Sequence, residues 1–259
     1  MPEMIEVEYY RRVAERTVGR SVQAVVAPDD WYLKGDTTAR ALRATVTGRT
    51  VTGTSRIGKL LLLATDGPVL GLRFGMTGRL LVDGAGPIEK LEYSSGRNDP
   101  AWTRFALRFD DGGDLRMVDP RRLGGVLLDP DTTHLGIDAL AVTPTAFRRA
   151  VETSRAPLKA WLLDQGHVAG IGNLLADEIL WRAGLDPARS GRSLDPAEVA
   201  LLHRTLRKTV RLLTKRGGSH TGDLQVARVR GAACPRDGAP LQRRTIGGRT
   251  TYSCPVHQG

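Results

Sequence analysis

The spacing of apolar and polar positions changes character near residue 130. Before it, short runs at 21–27, 44–51, 60–64, 69–74, 105–109 and 125–128 are rich in Val, Leu and Thr and are broken by Gly, Pro and Asp. These runs read as strands, and their spacing predicts an antiparallel sandwich or barrel. A helix over 3–18 precedes them: Pro2 suits the first helical position, Glu3 and Glu6 the first turn, and Gly19 the stop. After Asp129-Pro130 the period becomes helical, over 144–153, 158–163, 173–183 and 196–214. The last of these has an N-cap signature, Asp195-Pro196-Ala197-Glu198, and ends at Gly217-Gly218. Residues 223–259 are basic, contain glycine and cysteine, and suit a small metal-stapled hairpin. The layout is an α+β multidomain chain: 1–130, 131–222 and 223–259.

Composition narrows the class. At 259 residues, 41% of them hydrophobic and 25% charged, the chain can bury a substantial core. No apolar run approaches the ~20 residues of a membrane span, and the start is too acidic and polar for a signal peptide. A membrane protein, a secreted disulfide scaffold and a disordered chain are excluded on these grounds. The net charge of +10 is carried by residues 201–259, where twelve Lys and Arg face only Asp223 and Asp237. A basic fifth on a neutral body points to a phosphate-binding surface, or more plainly to a solvated charged face. The two cysteines each open a short ligand pair, Cys234-Pro-Arg-Asp237 and Cys254-Pro-Val-His257, which suggests a metal before a disulfide.

The amino terminus carries its own chemistry. Removal of Met1 would leave Pro2 as a secondary amine, and a free α-amine has a pKa near 7.7–8.0. A helix start disfavours the protonated form. With Glu3 and Glu6 at the same helix end, the set suits Schiff-base chemistry at a carbonyl-like carbon, although a plain helix start explains the same residues.

Six segments together carry a resemblance. Met1-Pro2-Glu3, with Glu6-Val7-Glu8, resembles the opening of the Fpg/Nei family, the formamidopyrimidine-DNA glycosylase and endonuclease VIII enzymes. Arg56-Ile57-Gly58-Lys59-Leu60, Phe74-Gly75-Met76-Thr77-Gly78 and Asp119-Pro120-Arg121-Arg122-Leu123-Gly124 resemble its lysine hairpin, its Met wedge loop and its void-filling Arg loop. Leu163-Asp164-Gln165 with Val168-Ala169-Gly170-Ile171-Gly172-Asn173 and Ala176-Asp177-Glu178-Ile179-Leu180 is very close to the helix–two-turns–helix signature. The C-terminal cysteine segment is the sixth.

The resemblance implies an N-terminal helix plus antiparallel β-sandwich, a helix–two-turns–helix domain and a zinc-type hairpin. It implies a bifunctional DNA glycosylase/AP lyase of base excision repair, with Pro2 as nucleophile, Glu3 as general acid/base, Glu6 assisting, and β,δ-elimination. Lys59, Asn173 and Arg249 would hold phosphates, while Met76, Arg121 and Leu123 would fill the space of the flipped nucleotide. The partner would be damaged double-stranded DNA, met by a monomer in a bacterial cytoplasm without membrane contact. One structural Zn²⁺ would be held by Cys234, Asp237, Cys254 and His257, a departure from the family's four cysteines. Two further departures concern substrate. Only His220-Thr221-Gly222-Asp223 separates Ser219 from Leu224, which leaves no room for the lid of the purine-directed branch. Leu123 replaces that branch's aromatic wedge, and Ile5 a family proline. An endonuclease VIII-like or atypical lesion is therefore expected over 8-oxoguanine. The alternative is a catalytically silent protein that binds damaged DNA.

Overall fold

The computed structural model describes residues 2–88, 97 and 99–259. The chain divides into two units, 1–132 and 133–259. In the first, helix α1 (Met4–Ala14) is followed by strand β1 (Val22–Val26), helix α2 (Ala39–Val46) and strands β2 (Val51–Ile57), β3 (Leu60–Thr65), β4 (Val69–Arg73), β5 (Arg79–Val82), β6 (Thr103–Phe109), β7 (Asp114–Val118) and β8 (Gly125–Leu128). They form two four-stranded antiparallel sheets, ordered β1-β6-β7-β5 and β2-β3-β4-β8. Leu61, Leu63, Leu70 and Leu72 of one sheet and Leu80, Phe105, Leu107 and Met117 of the other share a single buried cluster with Val7, Tyr10 and Ala14 of α1. This is a sandwich, with the first helix closing its core.

Two expectations about local structure change. The segment expected as a strand at 44–51 is split, because Thr38 caps a helix by accepting from the Ala41 N–H at 3.1 Å. Ala, Leu and Arg then favour helix, with Leu42 and Val46 on one buried face. The first helix is also shorter than 3–18. It ends at Ala14, a 3₁₀ turn covers Glu15–Thr17, and Glu3 is its N-cap, so Pro2 precedes the helix instead of opening it.

One buried carboxylate organises two loops of this unit. Asp119 is fully buried and accepts from the Thr77 hydroxyl at 2.5 Å, the Gly124 N–H at 2.8 Å and the Arg121 N–H at 3.2 Å. The loops at 74–78 and 119–124 are thereby held together. Gly75, at φ +55°, lies so close to Leu123 and Gly124 that a Cβ there would strike their backbone.

The second unit comprises β9 (Ile137–Asp138), α3 (Pro144–Glu152), α4 (Leu158–Leu163), β10 (Val168–Ala169), α5 (Asn173–Ala183), α6 (Pro196–Arg216) and the hairpin β11 (Gln242–Ile246)–β12 (Arg249–Ser253). Its centre is a buried ionic network. Lys159 Nζ on α4 lies 2.7 Å from Asp177 Oδ1 on α5, with both side chains wholly buried, and Arg228 Nη2 lies 3.0 Å from Asp177 Oδ2. Lys159 also donates to the Thr250 carbonyl at 2.9 Å and the Thr251 hydroxyl at 2.8 Å. The hairpin is thus fastened to α4 and α5 by its own strand β12.

Both hubs make stability predictions. Asp119→Ala orphans buried donors at about 1–3 kcal/mol each, and Asp177→Ala strands two buried cations at a cost of about 3–5 kcal/mol. Each lowers the denaturant midpoint of the full chain, whereas exposed Asp36→Ala leaves it nearly unchanged.

Candidate nucleic-acid and catalytic site

The start of α1 is a reciprocal capping box. Glu6 Oε2 accepts the Glu3 backbone N–H at 2.8 Å, and the Glu3 side chain accepts the Glu6 backbone N–H. Glu3 and Glu6 are 0% and 3% exposed, and Pro2 is buried beside them. Two carboxylates are therefore locked within one turn of the residue that would be the amine.

Further side chains of this unit are fastened to α1. Lys59, half-buried, follows Gly58 in the two-residue β2–β3 turn, where Gly58 has φ +57°. Arg56 braces this turn by donating to the Gly58 carbonyl at 2.7 Å, and it ties the turn to α1 through Glu8 at 3.3 Å. Burial opposes the Glu8 carboxylate, but hydrogen bonds and charge from Arg11, with Arg12 and Arg56, outweigh it and hold the group below the usual range. Tyr10 of α1 donates to the Gly78 carbonyl at 3.3 Å and packs on Phe74, with ring centres 4.5 Å apart. The Met76 loop is thereby seated on the same helix.

Next to that loop, Arg121 is exposed and Leu123 is 49% exposed, while Met76 is half-buried. Between Arg121 and Leu123, Arg122 adopts φ +57°, uncommon for a side-chain-bearing residue. Its guanidinium forks both oxygens of Asp29 at 2.6 Å, and this pairing holds the Asp29 carboxyl below its ordinary range against its partial burial. Arg122 is the anchor that leaves its two neighbours projecting.

In the second unit the turn before α5 is built by Gln165. Its Nε2 donates to the carbonyls of Leu163 and Ile171 at 2.8 and 3.0 Å, and its Oε1 accepts from the Gly170 N–H at 3.0 Å. Gly170 has φ +119°. The N-cap of α5 is Gly172, which has no side chain to cap the helix, and the Asn173 amide oxygen is buried with no hydrogen-bond partner among the described residues. A helix N-terminus with an asparagine amide at its first position suits a phosphate, to which the amide would present its NH₂ group. Arg249 is exposed directly after Gly247-Gly248, a hairpin tip with φ +59° and +70°. The buried Lys159 holds the residues that follow it.

Cys234, Asp237, Cys254 and His257 converge as their spacing suggests, with ligand atoms within 4.8 Å of one another. Tetrahedral zinc, at bond lengths of ~2.0–2.3 Å, needs donors about 3.3–3.8 Å apart. Backbone N–H groups of Arg236 and Val256 approach the sulfurs of Cys234 and Cys254 at 3.4 Å, so each sulfur is held by a main-chain donor. Hydrogen bonding from His257 holds the Asp237 carboxyl well below its usual range, so this ligand is ionised at neutral pH. Two sulfurs, one imidazole and one carboxylate fit a structural metal.

Sequence reasoning named the projecting side chains but assigned no role to the residues that hold them: Glu8, Arg56, Asp119, Lys159, Gln165 and Arg228. Glu8, Arg56, Asp119 and Gln165 lie within the motifs quoted for the resemblance; a turn-forming Asp before Pro was the available signal for Asp119.

The family model for the formamidopyrimidine-DNA glycosylase N-terminal domain matches residues 1–126, and that for the formamidopyrimidine-DNA glycosylase H2TH domain matches 135–224. The formamidopyrimidine-DNA glycosylases of Chloroflexus aurantiacus and Thermus thermophilus are each 34% identical, over all of this chain and 98% and 99% of their own lengths. Among solved structures, Lactococcus lactis formamidopyrimidine-DNA glycosylase bound to DNA containing an AP site superposes with a TM-score of 0.83 at 27% identity over 99% of each chain. The same enzyme with DNA containing an oxidised pyrimidine gives 0.81 at 28% identity, again over 99% of each chain. With its sandwich, helix–two-turns–helix unit and terminal hairpin, the chain belongs to the formamidopyrimidine-DNA glycosylase family.

Proposed function

We propose that this family member is a bifunctional glycosylase and AP lyase that uses Pro2 as its nucleophile. The observation that carries the reading is the pair of buried, mutually capped carboxylates adjoining Pro2. After Met1 is removed, the Pro2 nitrogen attacks C1′ of a flipped, damaged nucleotide. The N–C1′ bond forms, the glycosidic bond breaks, and the base leaves with a proton supplied by the general acid, Glu3. Transfer of the nitrogen's proton to O4′ opens the sugar ring and gives an iminium. Loss of a C2′ proton expels the 3′ phosphate, and a second elimination expels the 5′ phosphate. Glu6, fixed by the Glu3 N–H, orients Glu3. Lys59, Asn173 and Arg249 bind phosphates and fix the sugar for attack. Met76, Arg121 and Leu123 occupy the duplex where the nucleotide has left.

Cys234, Asp237, Cys254 and His257 hold one structural zinc, whose contribution is to staple the hairpin. Preference for an oxidised pyrimidine or a bulkier lesion over 8-oxoguanine is supported by the closed link before Leu224. The N–H groups of Asp223 and Leu224 are both taken by the Glu178 carboxylate, at 3.0 and 2.9 Å, and Gly222 abuts the same side chain. That segment has no slack from which to form a lid.

Duplexes carrying one defined lesion test the reading. Oxidised-pyrimidine duplex is cut faster than 8-oxoguanine duplex; the opposite order overturns the lesion preference. Glu3→Gln slows base excision by about 10²–10⁴-fold and cleavage of a preformed abasic site much less, because no base departs from that substrate. Equal losses on both substrates contradict the acid role. Arg249→Ala weakens binding to every duplex and lowers the salt slope of log K by about 1. An unchanged slope removes Arg249 from the phosphate contacts.

A further inference from the structure

The metal cluster sits against the end of α5, and one residue there touches two of its ligands by two different groups. The Trp181 indole Nε1–H donates to Cys234 Sγ at 3.3 Å. The Trp181 main-chain carbonyl is 3.3 Å from His257 Nε2. A carbonyl can only accept, so Nε2 carries the hydrogen, and Nδ1 is the ring nitrogen turned to the ligand set: it donates to Asp237 Oδ2 at 2.5 Å, where a metal would take the place of its proton, and is 3.8 Å from Cys234 Sγ. The two rings meet edge to face, 5.8 Å apart. Trp181 belongs to the buried cluster that contains both cysteines, with Leu224, Ala227 and Leu241.

We infer that Trp181 is the positioning residue of the metal centre: its carbonyl selects Nδ1 as the ligating atom of His257, and its indole N–H fixes the Cys234 sulfur in place. This inference rests on the zinc reading above. The physical need is specific to this ligand set. An imidazole has two possible donor nitrogens and a free ring torsion, which a thiolate lacks, so a His ligand requires an outer partner to fix tautomer and orientation. The partner here is a carbonyl in the last turn of α5, where the acceptor ends of the helix gather and an N–H donor is favourable. Gly184, at φ +70°, is the C-cap there, and its N–H shares the Trp181 carbonyl at 3.2 Å. Gln258 locks the neighbouring turn by accepting from the Cys254 N–H at 2.7 Å and donating to the Leu185 carbonyl at 3.0 Å. The backbone half of the device survives any side chain at 181; the indole half does not.

The test uses the full chain. Metal content of the wild-type protein comes first, and a chain that purifies and reconstitutes without zinc overturns the metal reading and this inference with it. With one zinc per chain, long-range ¹H–¹⁵N correlation on the histidines reads the ligating atom directly and needs no variant: a metal-bound Nδ1 with a protonated Nε2 is expected, and ligation through Nε2 overturns the carbonyl role. Trp181→Phe keeps the ring and the carbonyl but removes the N–H. It lowers zinc affinity by about 10-fold in competition with a chromophoric chelator. In the Co²⁺-substituted protein it moves the thiolate-to-metal charge-transfer band to lower energy, because the sulfur loses a hydrogen bond. A Trp181→Phe protein with wild-type affinity and an unmoved band overturns the indole role while leaving the zinc site intact.

Discussion

Everything proposed for the first unit depends on a short electrostatic constraint at the chain's beginning, where two carboxylates that would prefer water are buried and hold each other through backbone N–H groups. The exchange between Glu3 and Glu6 satisfies donors that the first turn of α1 would otherwise leave unpaired. Pro2 falls just outside the helix as a result. A residue in that position lies outside the helical hydrogen-bond ladder, with the Glu3 and Glu6 side chains beside it. The rest of the unit keeps this arrangement rigid: Tyr10 and Val7 bury α1 in the sandwich core, and Arg56 ties the lysine-bearing turn to Glu8.

The second unit reaches its geometry by another route. Arg249, proposed to bind phosphate, is exposed, and a buried ionic framework of Lys159, Asp177 and Arg228 fixes its strand β12 against the helices. Such networks contribute little net stability compared with apolar packing but penalise alternative arrangements, since any partner lost leaves a bare charge. The hairpin tip that carries Arg249 gains its precision from this penalty. Trp181 links this framework to the Cys/Asp/His cluster, so α5 runs from Asn173 at its start to the cluster at its end.

Much of this was legible in the sequence, and the reasons are physical. The helices at 158–163 and 173–183 have the bounds their periodicity indicates, and the strand at 125–128 is equally well marked. The convergence of Cys234, Asp237, Cys254 and His257 was readable because C-x-x-ligand spacing survives replacement of cysteine by aspartate and histidine. Helix α2 was hidden because Val46, Thr47 and Thr50 look strand-like, while the Thr38 cap that decides the matter is a local hydrogen bond. Strands β2, β5 and β7 were missed because Gly53, Arg56, Arg79 and Arg116 interrupt their apolar pattern. The bracing role of Asp119 was not visible, since its partners lie 42 and 5 residues away in sequence. Spacing along a chain reveals groups that act together on one element, but not a buried acceptor that collects donors from several.

The central claim is that the Pro2 nitrogen becomes covalently bound to the sugar. Borohydride reduction of the Met-processed protein mixed with an abasic-site duplex tests it directly. The account predicts a protein–DNA adduct that survives a denaturing gel, maps to Pro2 by mass spectrometry, and disappears when the amino terminus is blocked. An unblocked protein that binds the duplex with a free Pro2 yet yields no adduct would contradict it, leaving a protein that recognises damaged DNA without cutting it.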